Sequence, residues 1–153
     1  MHVHDFPSGP GNPRNSEGYT LLLADGRILL VWTRFRGPED HAPADLYVSH
    51  SPDWGASWSA PYLVVSGREA GQNVMSVSLL RERRTGEALL FYLRKNGPED
   101  LSIWMRRSPD EGATWSAAEA VAAGPGYHVM NNARVVQTAR GRLIAPAAVS
   151  PRS

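Results

Sequence analysis

The chain has 153 residues, 42% hydrophobic and 20% charged, which is enough to bury a core and too apolar for a disordered tail. Its 16 basic and 15 acidic residues leave a formal charge of +1, without the basic excess of a nucleic-acid binder. There is no cysteine, so no disulfide framework and no thiolate zinc site, and no run approaches the roughly 18 apolar residues of a membrane span.

Taken in chain order, the opening MHVHDFPSGPGNPRNSEG lacks the apolar stretch of a secretory signal. That places the chain in the cytoplasm by default, and in the periplasm or outside the cell only if a leader precedes it. His2 and His4 are read as ordinary terminal histidines; no metal site and no cofactor is expected. Short runs rich in Val, Ile, Leu and aromatics, separated by Gly, Pro, Asp and Asn, predict strands at about 19–24, 27–35, 44–50 and 61–66. A second set is predicted at about 74–81, 87–94, 101–107 and 117–122. SAAEAVAA (116–123) has a helical composition, but it stands where SAPYLVV (59–65) stands in the first set and is therefore read as a strand.

The two sets are copies. SPDWGASWS (51–59) returns as SPDEGATWS (108–116), 57 residues later. LLLADGRILLVWTRF (21–35) is echoed by LLRERRTGEALLFYLRK (79–95), and GPED occurs at 37–40 and again at 97–100. A third copy begins at ARVVQTARGRLIAPAA (133–148). Four antiparallel strands per unit at a period near 50 describe propeller blades. The expected fold is all-β: a partial β-propeller of about two and a half four-stranded blades, with blade 1 at about 19–66, blade 2 at about 72–123 and the start of blade 3 at about 127–148. A sandwich of unrelated strands is the alternative, disfavoured by identity at the level of single turns.

The repeated phrase falls between the third and fourth strands. Its Ser and Asp side chains suit a turn, Gly55 and Gly112 suit a positive φ, and Trp58 and Trp115 can fold back over the hairpin base. The pattern S-x-D-x-G-x-x-W resembles the Asp-box of the sialidase (neuraminidase) superfamily, whose members are six-bladed propellers. Ser51, Asp53, Gly55 and Trp58, and Ser108, Asp110, Gly112 and Trp115, are accordingly structural. In that family the boxes lie on the rim away from the active site.

The chemistry that the resemblance implies centres on TRFRGPEDHAPADLYVSHSPDWGASW (33–58). By likeness to sialidases, Arg34 ends the second strand of the first blade, and Asp40, on the loop after it, is the general acid/base. A glycosidase needs such a carboxyl to protonate the leaving oxygen and later activate water. Arg14 and Arg34 would meet the substrate carboxylate, for which a planar guanidinium is suited. Around Arg14 the sequence reads Pro-Arg-Asn-Ser-Glu-Gly, where the family has an aromatic-Arg-Ile-Pro motif. Glu17, His41, Asn73, Arg94 and Asn132 are further candidate pocket residues near equivalent strand ends. The plainer reading of these positions is solvated turn sequence, and the second GPED, ending at Asp100, has no catalytic counterpart. Trp32 and Trp104 alternate within strands and are expected in the core. The family's nucleophilic tyrosine, its glutamate partner and two further arginines come from later blades; Tyr19, Tyr47, Tyr62, Tyr92 and Tyr127 match none of the nucleophile's context.

The implied activity is hydrolysis of a terminal sialic acid, or a related acidic sugar, by a longer protein of which this chain is the N-terminal portion. The chain alone is expected to be inactive or nearly so. The other reading is a non-catalytic Asp-box propeller that binds a glycan or a protein. The expected partner is carbohydrate, with self-association through open sheet edges.

Overall fold

The computed structural model describes residues 3–150. Four antiparallel strands form the first sheet in the order β1-β2-β3-β4: Arg14–Leu22, Ile28–Phe35, Ala44–Ser51 and Tyr62–Val65. The second repeats the pattern with β5 (Asn73–Arg81), β6 (Ala88–Gly97), β7 (Asp100–Ser108) and β8 (Glu119–Ala122). β8 falls in the alanine-rich stretch read as a strand. A third unit is represented by the short hairpin β10–β11 (Val136–Gln137 and Leu143–Ile144). On the way to it and back, β9 (Tyr127–Val129) and β12 (Ala148–Ser150) pair with each other, and β9 adds to β7 in parallel at Leu101 and Tyr127. The fold is a partial β-propeller. β1 starts earlier than the expected residue 19, because Arg14, Asn15 and Ser16 already pair with Phe35, Arg34 and Thr33.

The register carries the repeat into space. Ile28 faces Ser51, and Ala88 faces Ser108, so β2 and β6 correspond at an offset of 60 residues. Arg34 therefore corresponds to Arg94. Arg14 pairs with Phe35 as Asn73 pairs with Lys95, so Arg14 corresponds to Asn73.

Two cores hold the units. One lies between the blades, where Leu29, Val31, Leu46 and Val48 of the first meet Val77, Leu79, Leu90 and Tyr92 of the second. The other covers the far face of the second blade, where Leu89, Phe91, Leu93, Ile103 and Met105 meet Met130 and Val135. Burial on both faces is why ALLFYL in β6 is a continuous apolar run without alternation. The remaining face of the first blade carries Trp32, which is buried, and is partly covered by the N-terminal segment. Phe6 packs there against Trp32 and Trp58, with ring centroids at 4.7 and 5.7 Å.

The inner strands β1 and β5 are each interrupted by a bulge. Register slips between Ser16 and Tyr19 and again between Met75 and Ser78. Glu17 and Ser76 sit there in the left-handed region, with φ of 54° and 58°, and Ala133, in the turn before β10, has φ of 58°. A non-glycine residue is held in that conformation only where its surroundings over-determine it. The surroundings here are the neighbouring units: the Glu17 carboxylate accepts from the Ser76 N–H at 3.0 Å, and Ala133 N–H donates to Val77 O at 3.1 Å.

Candidate active site

The Asp-boxes and the candidate catalytic residues lie at opposite ends of the sheets. The boxes close the β3–β4 and β7–β8 connections. Asp53 Oδ1 accepts from Ser57 N–H at 2.7 Å and Oδ2 from the Ser57 hydroxyl at 2.6 Å; Asp110 does the same with Thr114 at 2.8 and 2.6 Å. Those bonds, the side-chain one first, hold both carboxyls below the usual aspartate range. Ser51 and Ser108 accept from Gly55 and Gly112 N–H, and each tryptophan indole donates back to the glycine carbonyl. Gly55 and Gly112 have φ of 89° and 85°, as the turn requires.

At the other end, residues 36–43 form a loop between β2 and β3, closed by Arg36 N–H to Pro43 O at 2.8 Å and Ala42 N–H to Glu39 O at 3.0 Å. A Cβ on Gly37 would stand 2.9 Å from that of Ala42, so the loop is tight there. Two inner strands grip it. From β1, the Arg14 guanidinium lies 3.8 Å over the Phe35 ring and donates to Pro38 O at 2.6 Å and to Asp40 Oδ1 at 2.7 Å. From β5, the fully buried Asn73 donates through Nδ2 to Asp40 O at 3.0 Å and Ala42 O at 2.8 Å. The Asp40 side chain itself is 81% exposed. Beside it, Arg36 pairs with the buried Asp45 at 2.6 Å, and that hydrogen bond raises the Arg36 pKa further. Asp45 also accepts from Gly67 N–H at 2.7 Å. A cleft of about 340 Å³ opens here, lined by Arg36, Asp45, Arg68 and Gln72.

Of the candidate residues, Arg14, Asp40 and Asn73 therefore come together. Asn73 enters as a buried clamp on the loop backbone. Arg34 is at the same end of the sheet but, one register position from Phe35, points to the opposite face. It stacks 4.3 Å over Tyr47 and lines a recess of about 310 Å³ with Phe6, Asn15 and Trp32. Arg94 holds the equivalent place between the blades, 3.9 Å over Trp104 and paired with Glu69 at 2.5 Å. Glu17 spends one oxygen on the Ser76 N–H. His41 is exposed, and Asn132 is half-buried beside the left-handed Ala133. Trp54 is 73% exposed on the box side, and the Tyr62 hydroxyl bonds Gly112 O at 3.2 Å. His4 rests against Phe6 at 4.9 Å, while His2 lies outside the described residues.

Sequence reasoning missed Glu69, which receives both Arg94 and Arg106, and Glu111, which joins the blades. Their partners are 25, 37 and 87 residues away, and no local pattern marks them.

The profile of the BNR repeat-like domain matches residues 23–153. The chain belongs to this family. Among solved structures it is similar to the Hadza microbial sialidase Hz136, with a TM-score of 0.72 at 16% identity over 87% of this chain and 32% of that one. NanB sialidase from Streptococcus pneumoniae follows with a TM-score of 0.71 at 10% identity, over 97% of this chain and 43% of that one. An endo-arabinase from Bacteroides thetaiotaomicron gives 0.57 at 15% identity, over 91% and 56%. No curated protein matches. The BNR repeat-like chain thus has a sialidase-type propeller fold and spans between a third and somewhat over half of those solved proteins.

Proposed function

We propose that this chain supplies the acid/base part of a sialidase-like glycosidase site, acting on a terminal sialic acid or a related acidic sugar. The observation that carries the reading is the Arg14–Asp40 pair, an exposed carboxyl held at 2.7 Å by an arginine at the blade ends away from the Asp-boxes. In this reading Asp40 protonates the departing glycosidic oxygen and then activates water. Arg14 meets the substrate carboxylate beside Asp40, and Arg34 would join it only by leaving its stack on Tyr47 on the opposite face. Binding of that carboxylate competes with Asp40 for Arg14.

The test has two stages. Sialic acid titrated into this chain should shift the amide resonances of residues 36–43, N-acetylmannosamine (which has no carboxylate) should not, and Arg14→Ala should abolish the shift. In a complete ring carrying this unit, Asp40→Asn should lower turnover of a sialoside by about 10²–10⁴-fold. Equal response to both sugars, or an unchanged rate, overturns the reading. Binding without turnover in the complete ring favours a non-catalytic glycan-binding propeller, and turnover of arabinan in place of sialosides favours another sugar on the same scaffold.

We also propose self-association through the open edges. Leu63, Val121, Val136, Ile144 and Val149 are exposed apolar residues on the peripheral strands. Sedimentation should register concentration-dependent association, and Val136→Lys should weaken it; a monomer at all concentrations refutes it.

A further inference from the structure

We propose that Asn73 is a positioning residue for Asp40: from the inner strand of the second blade it fixes the backbone that carries the Asp40 carboxyl. Docking of the second blade onto the first thereby sets where that carboxyl stands. The inference rests on the reading of Asp40 as the acid/base group.

Four observations support it. Asn73 is fully buried and sends both of its amide donor bonds to this one loop, to Asp40 O and Ala42 O. Its Oδ1 meets no donor among the described residues, so the side chain acts there as a donor only. The strand entry before it is held tightly. Gln72 N–H donates to Lys95 O at 2.8 Å, Gly71 N–H donates to Asn96 Oδ1 at 3.3 Å, and a Cβ on Gly71 would lie 2.3 Å from Asn96 O. Finally, Asn73 and Arg14 are register equivalents in successive repeats, and both grip residues 38–42. One holds the carboxylate and Pro38 O, the other holds the main chain directly behind the carboxylate. Besides its own backbone bonds and the Arg36–Asp45 pair, the loop is held by these two side chains from the inner strands.

The division of labour has a chemical logic. The Asp40 carboxyl is exposed, so burial of its own side chain is not what fixes it. Fixing the main-chain carbonyl of the same residue holds the Cα in place and leaves the carboxyl in solvent. Asparagine suits this role, because an ionised aspartate in its place would oppose two carbonyl oxygens with no proton to offer.

The test uses Asn73→Asp, which keeps the size and removes the donors, and Asn73→Ala, which removes both, in the full chain. Amide hydrogen exchange should rise by about tenfold or more at Ala42 and Arg36. Amides of the β5–β6 ladder and the Asp-boxes should stay within about twofold of wild type, and the chain should remain cooperatively folded. In the complete ring the same substitutions should lower kcat for a sialoside about tenfold or more with KM within about twofold. Unchanged exchange at Ala42 overturns the proposal, and so does a uniform rise across β5, which marks a general packing role. If Asn73→Ala fails to fold, Asn73→Asp decides alone; if both fail, the role is structural and the proposal is refuted. The two readings fail separately. Loop exchange that rises as expected while Asp40→Asn leaves turnover intact refutes the acid/base role of Asp40, and with it the catalytic significance of the clamp, but not the clamp.

Discussion

Glu111 and Arg81 form a two-pronged ion pair, with Nη1 to Oε1 at 2.9 Å and Nη2 to Oε2 at 2.6 Å. The same carboxylate accepts from the Ala24 N–H of the first blade at 3.0 Å. One side chain therefore joins the second Asp-box, the inner strand of its own blade and the β1–β2 turn of the previous one. In the first box this place belongs to Trp54, which is exposed. Glu111→Gln keeps the shape and loses the charge. It should cost about 2 kcal/mol, seen as a melting temperature lower by about 4–8 °C. The bond to Arg81, followed by that to Ala24 N–H, holds the Glu111 carboxyl below its ordinary value of 4.5. Its stabilising effect is thus present above that value and is lost as pH falls through the folded-state value, so the gap between wild type and Glu111→Gln should close on acidification.

Glu69 gathers charge from two strands. Arg94 reaches it at 2.5 Å and Arg106 at 2.6 and 2.7 Å, and the Tyr92 hydroxyl lies 3.5 Å away. Both arginines are mostly buried, so removing the carboxylate leaves two cations facing one another without compensation. Glu69→Gln should cost about 3 kcal/mol by chemical denaturation. Adding Arg106→Met to it should recover part of the loss, whereas purely additive costs would show that the arginines do not depend on Glu69.

The third unit is attached through a carboxylate. Glu82 accepts from Gln137 Nε2 at 2.7 Å and from the N–H groups of Arg84 and Thr85 at 3.1 and 2.6 Å; these bonds, with Gln137 first, bring its pKa from 4.5 to about 2. Gln137 Oε1 in turn accepts from Arg83 N–H at 2.9 Å. A depressed carboxyl stabilises the fold above its unfolded value and loses that effect as pH falls from about 4.5 through about 2. Hydrogen exchange at Thr138 and Arg142, in the β10–β11 hairpin, should therefore accelerate in that window before the first blade responds. Gln137→Ala should raise the Glu82 pKa, measured by carboxyl carbon titration.

Arg14 should separate loop order from stability. Its partner Asp40 is highly exposed, and such pairs contribute about 0–1 kcal/mol. Arg14→Ala should shift the melting temperature by no more than about 4 °C, while exchange at Ala42 rises. A large loss of stability with an unchanged loop would invert this assignment.

The frame of the fold was legible because its signals are local. Short apolar runs, glycine turns and the duplicated Ser-Pro-Asp phrase lie within a few residues of one another, and β3, β6 and β7 appear within three residues of their expected bounds. The start of β1 was not legible, since Asn15, Ser16 and Glu17 are polar and belong to the strand only through pairing and a bulge. In the site, the Arg-to-Asp spacing indicated the loop, but the direction of each arginine depends on strand register. Arg14 and Arg34 consequently lie on different faces although both stand at strand ends. The role of Asn73 was hidden for a similar reason: its partners are 31 and 33 residues back, in another blade.

The two GPED phrases sit in hairpin corners of unequal length. Eight residues separate β2 from β3, whereas β6 returns as β7 after Pro98 and Glu99 alone. The frames on either side are superimposable by register, so the second corner is a natural acceptor for a graft. Transplanting residues 36–43 between Gly97 and Asp100 would place a second copy of the long loop one blade along. In this architecture one corner can lengthen by six residues without rebuilding the scaffold that presents it.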